Sequence, residues 1–410
     1  MSLSPARAAA FHILKKVGEG RGHSDDLLHT IAVNALPEAD RNLTTTLVLG
    51  TLRWQIALDS ILRGMMQRPF QETPEAALIA LRLGALQLLL LDRIPPHAAL
   101  NESVELAKAN GAAHSAGMVN AILRRLQREQ KSIAPKLSAE AAHPQWLLDR
   151  WRKNFGNDTA RTVVEADQQQ PAEGALFLSK ENAPQMDDGS RLIAEIAAAS
   201  QPSATRILDC CAAPGGKTIV LARRHPEAQI VAADINAKRL SSMQKRLARE
   251  GITNVETVEA DLTMPQRSGP FGKPFDLILC DAPCSGTGTL GRNPEIRHTL
   301  RPEELARQAQ RQHAILANAL ALLAPGGKLV YSTCSLEPEE NEDVVVSTLK
   351  RDDAVRQMDI ATELNRLAAR GVFAESSRLR ETAVRGATLR TLPGVHAMDG
   401  FFAALFTRNT

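Results

Sequence analysis

The sequence of 410 residues predicts a multidomain protein, in which an all-α N-terminal domain precedes an α/β domain built on a parallel, doubly wound sheet. Three observations carry this prediction. Apolar residues keep helical spacing to about residue 130, strand and helix patterns alternate after Arg206, and the polar joint KSIAPKLSAEAAHP lies between these parts. We place the all-α domain at residues 1–135, a linker region at 136–205 and the α/β domain at 206–410.

The N-terminal domain is predicted to be helical because its apolar residues recur at intervals of three and four. Leu43–Leu62 forms an amphipathic stretch, and Glu75–Asp92 is apolar nearly all round, which is typical of a buried central helix. Pro95 and Pro96 interrupt the pattern, and Asn101 is predicted to cap a further helix. By itself this half is consistent with a helical interaction domain that carries no chemistry.

The α/β domain repeats a strand, a turn and a helix. In order, the predicted elements are strand RILDC, helix Lys217–Arg224, strand QIVAADI, helix Ala237–Glu250, strands NVETVEAD and FDLILCDAP, helix Pro302–Leu323, strand GGKLVYSTC and a closing strand at Gly400–Phe406. Ligands of such sheets bind beyond the carboxyl ends of the strands. The residues at those ends are therefore the candidates for a functional site.

Composition indicates a cytoplasmic protein without a membrane segment. The N-terminus lacks the apolar core of a signal peptide, and the longest apolar run, Leu83–Leu91, is too short to span a bilayer. Five cysteines, two of them adjacent, argue against a disulfide framework. Residues 1–150 hold 17 Lys and Arg against 14 Asp and Glu, so the net charge of +3 arises there. One basic cluster in this part, most simply a solvated helix face, consists of Arg124, Arg125, Arg128 and Lys131.

Four aspartates follow successive predicted strands: Asp209, Asp234, Asp261 and Asp281. A single aspartate there is commonly a helix cap, but four on the ligand edge describe a nucleoside site without phosphates. Asp234 lies 18 residues after Gly216, where a carboxylate can accept both hydroxyls of a ribose. LDCCAAPGGKT departs from the P-loop pattern, and Asp209 would repel a polyphosphate. The positively charged S-adenosylmethionine therefore fits better than NAD or ATP.

Two cysteines follow adjacent predicted strands, Cys284 in DAPCSGTG and Cys334 in YSTCS. Such strands could bring both thiols to one pocket beside Asp281, although a free cysteine is more often a small buried hydrophobe. The other three are assigned to packing: Cys210, Cys211 and Cys280. No metal is expected, because the C-x3-C spacing alternates across a strand and lacks a histidine pair.

Two thiols near a carboxyl group suit methylation of cytosine at carbon 5. That carbon is a poor nucleophile, but attack of a thiolate at carbon 6 converts the ring into an enamine that accepts a methyl group. The reaction needs a thiolate with a lowered pKa and an acid at ring nitrogen 3, which a pocket carboxyl can supply. A second thiol or a base can then assist expulsion of the enzyme.

The motifs LDCCAAPGGKT, DAPCSGTG, YSTCSLEPEENEDVV and LPG with DGFFAALF resemble those of the RNA cytosine-5 methyltransferases of the Sun/Nop2 (NSUN) family. The stretch LRLGALQLLLLDRIPPHAALNESVELAKA is similar to the NusB-type RNA-binding domain of one member. The resemblance implies a NusB-like domain at 1–135 and a Rossmann-like S-adenosylmethionine-dependent methyltransferase domain at 206–410. Residues 136–205 would hold a linker helix and a shortened RRM-like region after FLSKEN (Phe177–Asn182).

The resemblance also implies roles for individual residues. Cys334 corresponds to the nucleophile, Cys284 to the thiol that promotes product release, and Asp281 to a contact between cofactor and target base. Asp234 would bind the ribose, and Asp261 would lie near the adenine. The segment that wraps the methionine end of the cofactor would comprise Cys211, Ala212, Ala213, Pro214, Gly215, Gly216 and Lys217. DNA cytosine methyltransferases attack from the proline–cysteine motif instead, so the TCS motif favours the RNA family.

The function implied is a monomeric, S-adenosylmethionine-dependent RNA (cytosine-C5) methyltransferase, forming 5-methylcytidine in small-subunit (16S) ribosomal RNA through a cysteine–C6 bond. Two alternatives stay open at this point. One is a cytosine-5 methyltransferase of transfer RNA. The other is a non-catalytic RNA-binding ribosome-assembly factor that keeps the α/β domain as a scaffold.

Overall fold

The chain folds into two units of different architecture, described in a computed structural model for residues 3–67, 69–169, 174, 176–178, 184–373 and 376–409. The helical unit comprises Met1–Gln170 and Leu290–Thr299, and the α/β unit comprises Pro171–Thr289 and Leu300–Thr410. This division differs from the three-part prediction, since residues 136–170 and 290–299 both belong to the helical unit. Of the segment FLSKEN, residues 179–182 lie outside the described residues.

Helix α5 forms the centre of the helical unit. The helices up to residue 166 are α1 (Pro5–Gly18), α2 (Ser24–Leu28), α3 (Ile31–Asn34), α4 (Glu38–Arg63), α5 (Glu75–Leu90), α6 (Pro96–Ala107), α7 (Ala116–Ile133), α8 (Gln145–Phe155) and α9 (Asn157–Ala166). Helix α5 packs against α1, α4, α6 and α7, and Leu81 and Leu83 are fully buried. The prediction of a buried central helix is therefore confirmed.

The predicted cap at Asn101 is wrong. Helix α6 begins at Pro96, so Asn101 lies in its interior on an exposed face. Proline is favoured in the first turn because the N–H that it lacks would have no partner there. The proline pair therefore starts the helix, and the polar residue five positions later needs no capping role.

A buried polar cluster binds residues 290–299 to the rest of the helical unit. The side chain of Arg297 is 1% exposed, and burial lowers its pKa to about 10. It donates hydrogen bonds to four backbone carbonyls, those of Arg53, Ala142, Asp167 and Leu290. Nearby, Glu295 accepts hydrogen bonds from the backbone N–H (2.9 Å) and hydroxyl (2.8 Å) of Ser24. Because these polar groups are buried, losing any partner would leave an unsatisfied donor or acceptor.

The α/β unit is organised around one twisted sheet. Its strands are β1 (Arg206–Asp209), β2 (Gln229–Asp234), β3 (Val255–Glu259), β4 (Phe275–Asp281), β5 (Leu323–Thr333), β6 (Val355–Met358), β7 (Val384–Arg385), β8 (Thr388–Arg390) and β9 (Phe402–Arg408). Their order is β3-β2-β1-β4-β5-β9-β8-β7, and β6 also pairs with β9. Strands β1 to β5 pair in parallel, as predicted, whereas β9 is antiparallel to β5. The predicted closing strand is β9, shifted by two residues, and β6, β7 and β8 were not predicted.

One of the remaining helices precedes β1, and the others lie between strands along the chain. They are α10 (Asp188–Ser200), α11 (Gly216–Arg224), α12 (Ala237–Arg249), α13 (Ile296–Thr299), α14 (Pro302–Ala321), α15 (Glu342–Arg351), α16 (Ala361–Ala369) and α17 (Ser376–Ala383). Helix α13 lies in the helical unit and the others lie in the α/β unit. None of the helices in the described part of the chain is both long and apolar enough to cross a membrane.

Candidate active site

The carboxyl ends of the parallel strands bring most of the predicted aspartates to one edge of the sheet. Asp209, Asp234 and Asp281 are the last residues of β1, β2 and β4, and parallel neighbours end at the same edge. Asp261 was predicted to end the third strand, but β3 ends at Glu259 and Asp261 lies two residues beyond it.

Asp209 is the most deeply buried of these carboxyl groups, with 1% of its surface exposed. Burial raises its pKa to about 7, although a hydrogen bond from the Thr218 hydroxyl to Oδ2, 2.7 Å long, acts in the opposite direction. Thr218 lies in the first turn of α11, so this bond ties the end of β1 to the start of the next helix.

The loop between β1 and α11 contains the predicted cofactor segment, residues 211–217. Gly215 precedes α11 with φ +94°, in the left-handed region that favours glycine, and a Cβ there would lie 2.8 Å from Cγ of Met243. Arg239 Nη2 donates to the carbonyl of Ala213 at 2.6 Å. Met243 and Arg239 both come from α12, so one face of that helix braces the loop.

Asp234 lies against the same loop. Its Oδ2 accepts a hydrogen bond from the Ala213 N–H at 3.2 Å, and its Oδ1 accepts one from the Asn236 N–H at 2.9 Å. Arg239 Nη1 lies 3.7 Å from Oδ2. The carboxylate is therefore held in a fixed orientation, and each oxygen has a further lone pair that could accept a hydroxyl.

Asp261 and two apolar side chains lie beyond β2 and β3. Asp261 Oδ1 accepts hydrogen bonds from the Thr263 N–H (2.9 Å) and hydroxyl (2.6 Å), which lower the pKa of this carboxyl group. Ile235 directly follows Asp234 and is 51% exposed, and Met264 is 60% exposed. Neither residue was predicted: the signal for Ile235 is an apolar side chain directly after a strand-end carboxylate, whereas Met264 has no such position in the sequence.

Asp281 is paired on both carboxylate oxygens. Lys217 Nζ lies 2.6 Å from Oδ2, and the Ser332 hydroxyl donates to Oδ1 at 2.6 Å. Burial alone would lower the pKa of Lys217, but the charge of Asp281, the hydrogen bond to it and the nearby Cys334 and Asp209 together raise it. The pair joins the cofactor segment, which ends in Lys217, to β4 and to β5, which carries Ser332.

Cys284 and Cys334 are brought together, with their Sγ atoms 3.4 Å apart and both side chains partly exposed. The Gly288 N–H donates to the carbonyl of Cys334 at 2.9 Å, and a Cβ on Gly288 would lie 2.2 Å from the carbonyl oxygen of Gly400. The close approach of these loops therefore requires glycine. The hydrogen bond with Cys334, together with the low polarity of the surroundings, raises the pKa of the Cys284 thiol well above its ordinary value.

The other cysteines lie apart from this pair. Cys210 and Cys280 are buried at 1% and 0% exposure, whereas Cys211 is partly exposed in the cofactor segment. Burial raises the pKa of the Cys210 and Cys211 thiols, so they stay protonated. Within the part of the chain that the structure describes, no cluster of His, Cys, Asp and Glu could hold a metal ion.

Family models and individual proteins resemble this chain over both units. Residues 196–407 match the model described as 16S rRNA methyltransferase RsmB/F, and residues 4–128 match the NusB family. A ribosomal RNA small subunit methyltransferase B of Klebsiella pneumoniae is 32% identical over 90% of each chain. A probable ribosomal RNA small subunit methyltransferase B of Bacillus subtilis is 29% identical over 98% of each chain. The crystal structure of PH0851 shares the fold over 100% of both chains, with a TM-score of 0.74 and 20% identity.

Proposed function

Because the chain belongs to the 16S rRNA methyltransferase RsmB/F family, we propose that it is an S-adenosylmethionine-dependent RNA (cytosine-C5) methyltransferase. Its product would be 5-methylcytidine in small-subunit ribosomal RNA. The observation that carries this proposal is the thiol pair, with the Sγ atoms of Cys284 and Cys334 3.4 Å apart after neighbouring strands. Partly exposed thiols suit addition to a pyrimidine ring and later departure from it.

The sheet edge has groups that fit S-adenosylmethionine. The fixed carboxylate of Asp234 suits the ribose hydroxyls, and the exposed side chains of Ile235 and Met264 suit the faces of an adenine ring. The loop at residues 211–217 would hold the methionine part, and the lack of a side chain at Gly215 lets this loop lie against Met243 of α12. When bound, the cofactor supplies a methyl group on a positively charged sulfur, and the carboxylate of Asp281 favours that charge.

Cys334, Cys284 and Asp281 have separate roles in the reaction of the target base. The Cys334 thiolate adds to carbon 6 of cytosine, forming a C–S bond, and the electrons of the C5=C6 double bond shift toward ring nitrogen 3, which would take a proton through the Asp281–Lys217 pair to give the enamine. After carbon 5 has been methylated, a base removes its proton, and the electrons of that C–H bond restore the C5=C6 double bond as the C–S bond breaks. Cys334 leaves with the electrons of the C–S bond as a thiolate, Cys284 assists this release, and ring nitrogen 3 gives up the proton that it gained.

The assignment of Cys334 as the nucleophile rests on its place in the TCS motif, and the contact between the two sulfurs suits a donor role for Cys284. A thiol whose pKa is raised well above its ordinary value stays protonated near neutral pH, and only the thiolate attacks efficiently. A protonated Cys284 close to Cys334 can instead donate a hydrogen bond or a proton to the departing sulfur. Within this pair, Cys334 would attack the base and Cys284 would assist the release of the methylated base.

Bisulfite sequencing tests the activity directly. Small-subunit ribosomal RNA from cells that lack the gene would be incubated with the purified protein and S-adenosylmethionine. We expect at least one cytosine to become resistant to bisulfite conversion, and we expect transfer RNA treated in parallel to stay unchanged. If only transfer RNA were methylated, the proposed substrate would be wrong. If no cytosine became resistant in either RNA, the proposed enzymatic activity would be wrong.

Trapping of the covalent intermediate tests the roles of the two thiols. Cys284→Ala should accumulate a protein–RNA species that survives denaturing electrophoresis and requires S-adenosylmethionine, because release stalls. Cys334→Ala and the double variant should form none, and Cys280→Ala, at a buried thiol away from the pair, should turn over normally. An adduct formed by Cys334→Ala would assign the attack to another residue.

A further inference from the structure

A buried carboxylate on the segment after β5 contacts the loops of both paired cysteines. Glu340 is 0% exposed. Its Oε1 accepts hydrogen bonds from the Ser285 N–H at 2.8 Å and from Gln312 Nε2 at 3.0 Å, and its Oε2 accepts from the hydroxyls of Ser285 and Ser335. Four donors from three segments of the α/β unit therefore converge on one side chain.

These donors directly flank the thiols. Ser285 follows Cys284, and Ser335 follows Cys334. The glutamine amide that reaches the carboxylate also donates to the carbonyl of Pro283 at 2.9 Å, so the chain is held on both sides of Cys284. A shift of the carboxylate would move both cysteine loops, because each loop hydrogen-bonds to it directly.

Glu340 is itself anchored to β5. The Tyr331 hydroxyl donates to the backbone carbonyl of Glu340 at 2.6 Å. The adjacent Asn341 accepts a hydrogen bond from the Thr333 hydroxyl at 2.5 Å and donates to the carbonyl of Ser335 at 2.8 Å. The carboxylate therefore has a fixed position relative to the strand that ends next to Cys334.

We infer that Glu340 is a positioning residue that sets the distance between the Cys284 and Cys334 thiols, and through them controls release of the methylated base. The second half of this inference rests on the proposed function. A buried charged group is rarely the most stabilising choice for a core. Burial raises the pKa of Glu340 while the four hydrogen bonds oppose that rise, which agrees with a carboxylate retained for the geometry it imposes.

Oxidation of the thiol pair measures their approach without RNA or cofactor. Diamide accepts two electrons and two protons from the two thiols, leaving a Cys284–Cys334 disulfide with a bond of about 2.05 Å. The sulfurs must therefore close from 3.4 Å, and the rate depends on how well they are held. The rate can be followed by mass spectrometry of the cross-linked peptides from the full-length protein.

Glu340→Met keeps the length of the side chain but removes both acceptor oxygens, and it should slow disulfide formation about tenfold. Glu340→Gln should largely restore the rate, because one amide oxygen can still accept and the two hydroxyls can turn to accept from the amide. The matched control is Glu363→Met, at another buried carboxylate of the unit that pairs with Arg366. If Glu340→Met fails to fold, Gln312→Met removes one donor and should slow the reaction severalfold.

Turnover provides a second readout. Glu340→Met should lower kcat and the KM for RNA together, because a step after methyl transfer is slowed, and it should accumulate the denaturation-resistant adduct expected of Cys284→Ala. A folded Glu340→Met protein with the wild-type rate of disulfide formation would overturn the inference, whatever its activity. An inactive wild-type protein in which Glu340→Met still slows disulfide formation would instead overturn the proposed function and leave the positioning role intact.

Discussion

At the scale of single residues, Asp209 shows how burial raises the pKa of a carboxyl group at the edge of the sheet where the cofactor would bind. It is 1% exposed, has one hydrogen bond from Thr218, and has a pKa of about 7. An ordinary aspartate titrates near pH 4. Asp209 therefore takes up or releases its proton close to neutral pH, which makes the charge at the end of β1 dependent on pH.

Asp209→Asn should change how stability depends on pH. Between about pH 4 and pH 7 the folded protein keeps a proton on Asp209 that the unfolded chain has released, so the stability contributed by this group falls as the pH rises. Urea denaturation at several pH values should show wild type losing stability relative to Asp209→Asn by up to about 1.4 kcal/mol per pH unit. Thr218→Val should extend the upper end of this window to higher pH, because the hydrogen bond from Thr218 lowers the pKa of Asp209. A difference between wild type and Asp209→Asn that does not change with pH would contradict the assignment.

Asp234→Asn should weaken binding of S-adenosylmethionine. One charge-assisted hydrogen bond to a ribose hydroxyl contributes about 1.5–3 kcal/mol, so we expect a loss of roughly 10- to 150-fold in affinity. Isothermal titration calorimetry on the folded variant measures it. Glu256→Gln, an exposed carboxylate on β3, is the control and should bind normally. Unchanged affinity in Asp234→Asn would remove this residue from the cofactor site.

The strand-end aspartates could be located from the sequence because parallel strands bring their carboxyl ends to one edge whatever the details of packing. Glu340 could not. It lies in EPEE, a charged run that is typical of the solvent-exposed first turn of a helix. Only the folded structure shows that Glu340 is 0% exposed. Hydrogen bonds between segments 28 and 55 residues apart leave no local pattern.

At the scale of elements, helix α7 has a basic face formed by Arg124, Arg125, Arg128 and Lys131. These residues are exposed, while the opposite face of the helix is buried in the helical unit. Arg125 is paired with Glu129 at 2.9 Å. The spacing places the positive charges along one side of α7, where they can follow an RNA backbone.

Arg124→Gln with Arg128→Gln should weaken RNA binding and flatten its dependence on salt. Each arginine that no longer neutralises a phosphate should lower the slope of log affinity against log salt by roughly 0.7–0.9. Fluorescence anisotropy over a range of salt concentrations measures this, and binding of S-adenosylmethionine should stay unchanged. The control is Lys153→Gln with Arg161→Gln on α8 and α9, also exposed. Equal slopes for the two double variants would assign RNA binding to another surface.

The elements most accurately predicted are those with strong local periodicity. Strands β1 to β5 and helices α11, α12 and α14 lie within a few residues of their predicted bounds. Strands β6, β7 and β8 are two to four residues long and exist because they pair with β9 or with one another. Such short segments form only when a neighbouring edge is available, so their sequences alone carry little signal.

At the scale of the whole molecule, the division of the chain depends on residues 290–299. They follow the Cys284 loop in sequence but fold with the helical unit. The Arg297 side chain provides much of the attachment, because three of its four acceptor carbonyls, those of Arg53, Ala142 and Asp167, lie elsewhere in that unit. Loss of this side chain would remove one donor from each of these carbonyls.

Arg297→Met should destabilise the helical unit by about 3–5 kcal/mol, the usual effect of removing one partner from a buried charged cluster. Hydrogen exchange of amides in α4 and α9 should show the loss, since Arg53 and the residues after α9 contribute acceptors. Arg311→Met, on an exposed face of α14, should change stability by less than about 0.5 kcal/mol. Equal exchange in both variants would show that residues 290–299 are held by other contacts.

The assignment of residues 290–299 also imposes an order on biosynthesis. Residue 290 follows Gln170 by 120 positions, and at about 5–20 residues per second translation needs roughly 6–24 s to cover them. During that interval the nascent helical unit lacks residues 290–299, which include Arg297 and the hydrogen bonds that it donates to buried carbonyls. Its final packing must therefore wait until β1 to β4 of the α/β unit have been translated, and it can be completed before β5 and β9, which come later in the chain, are made.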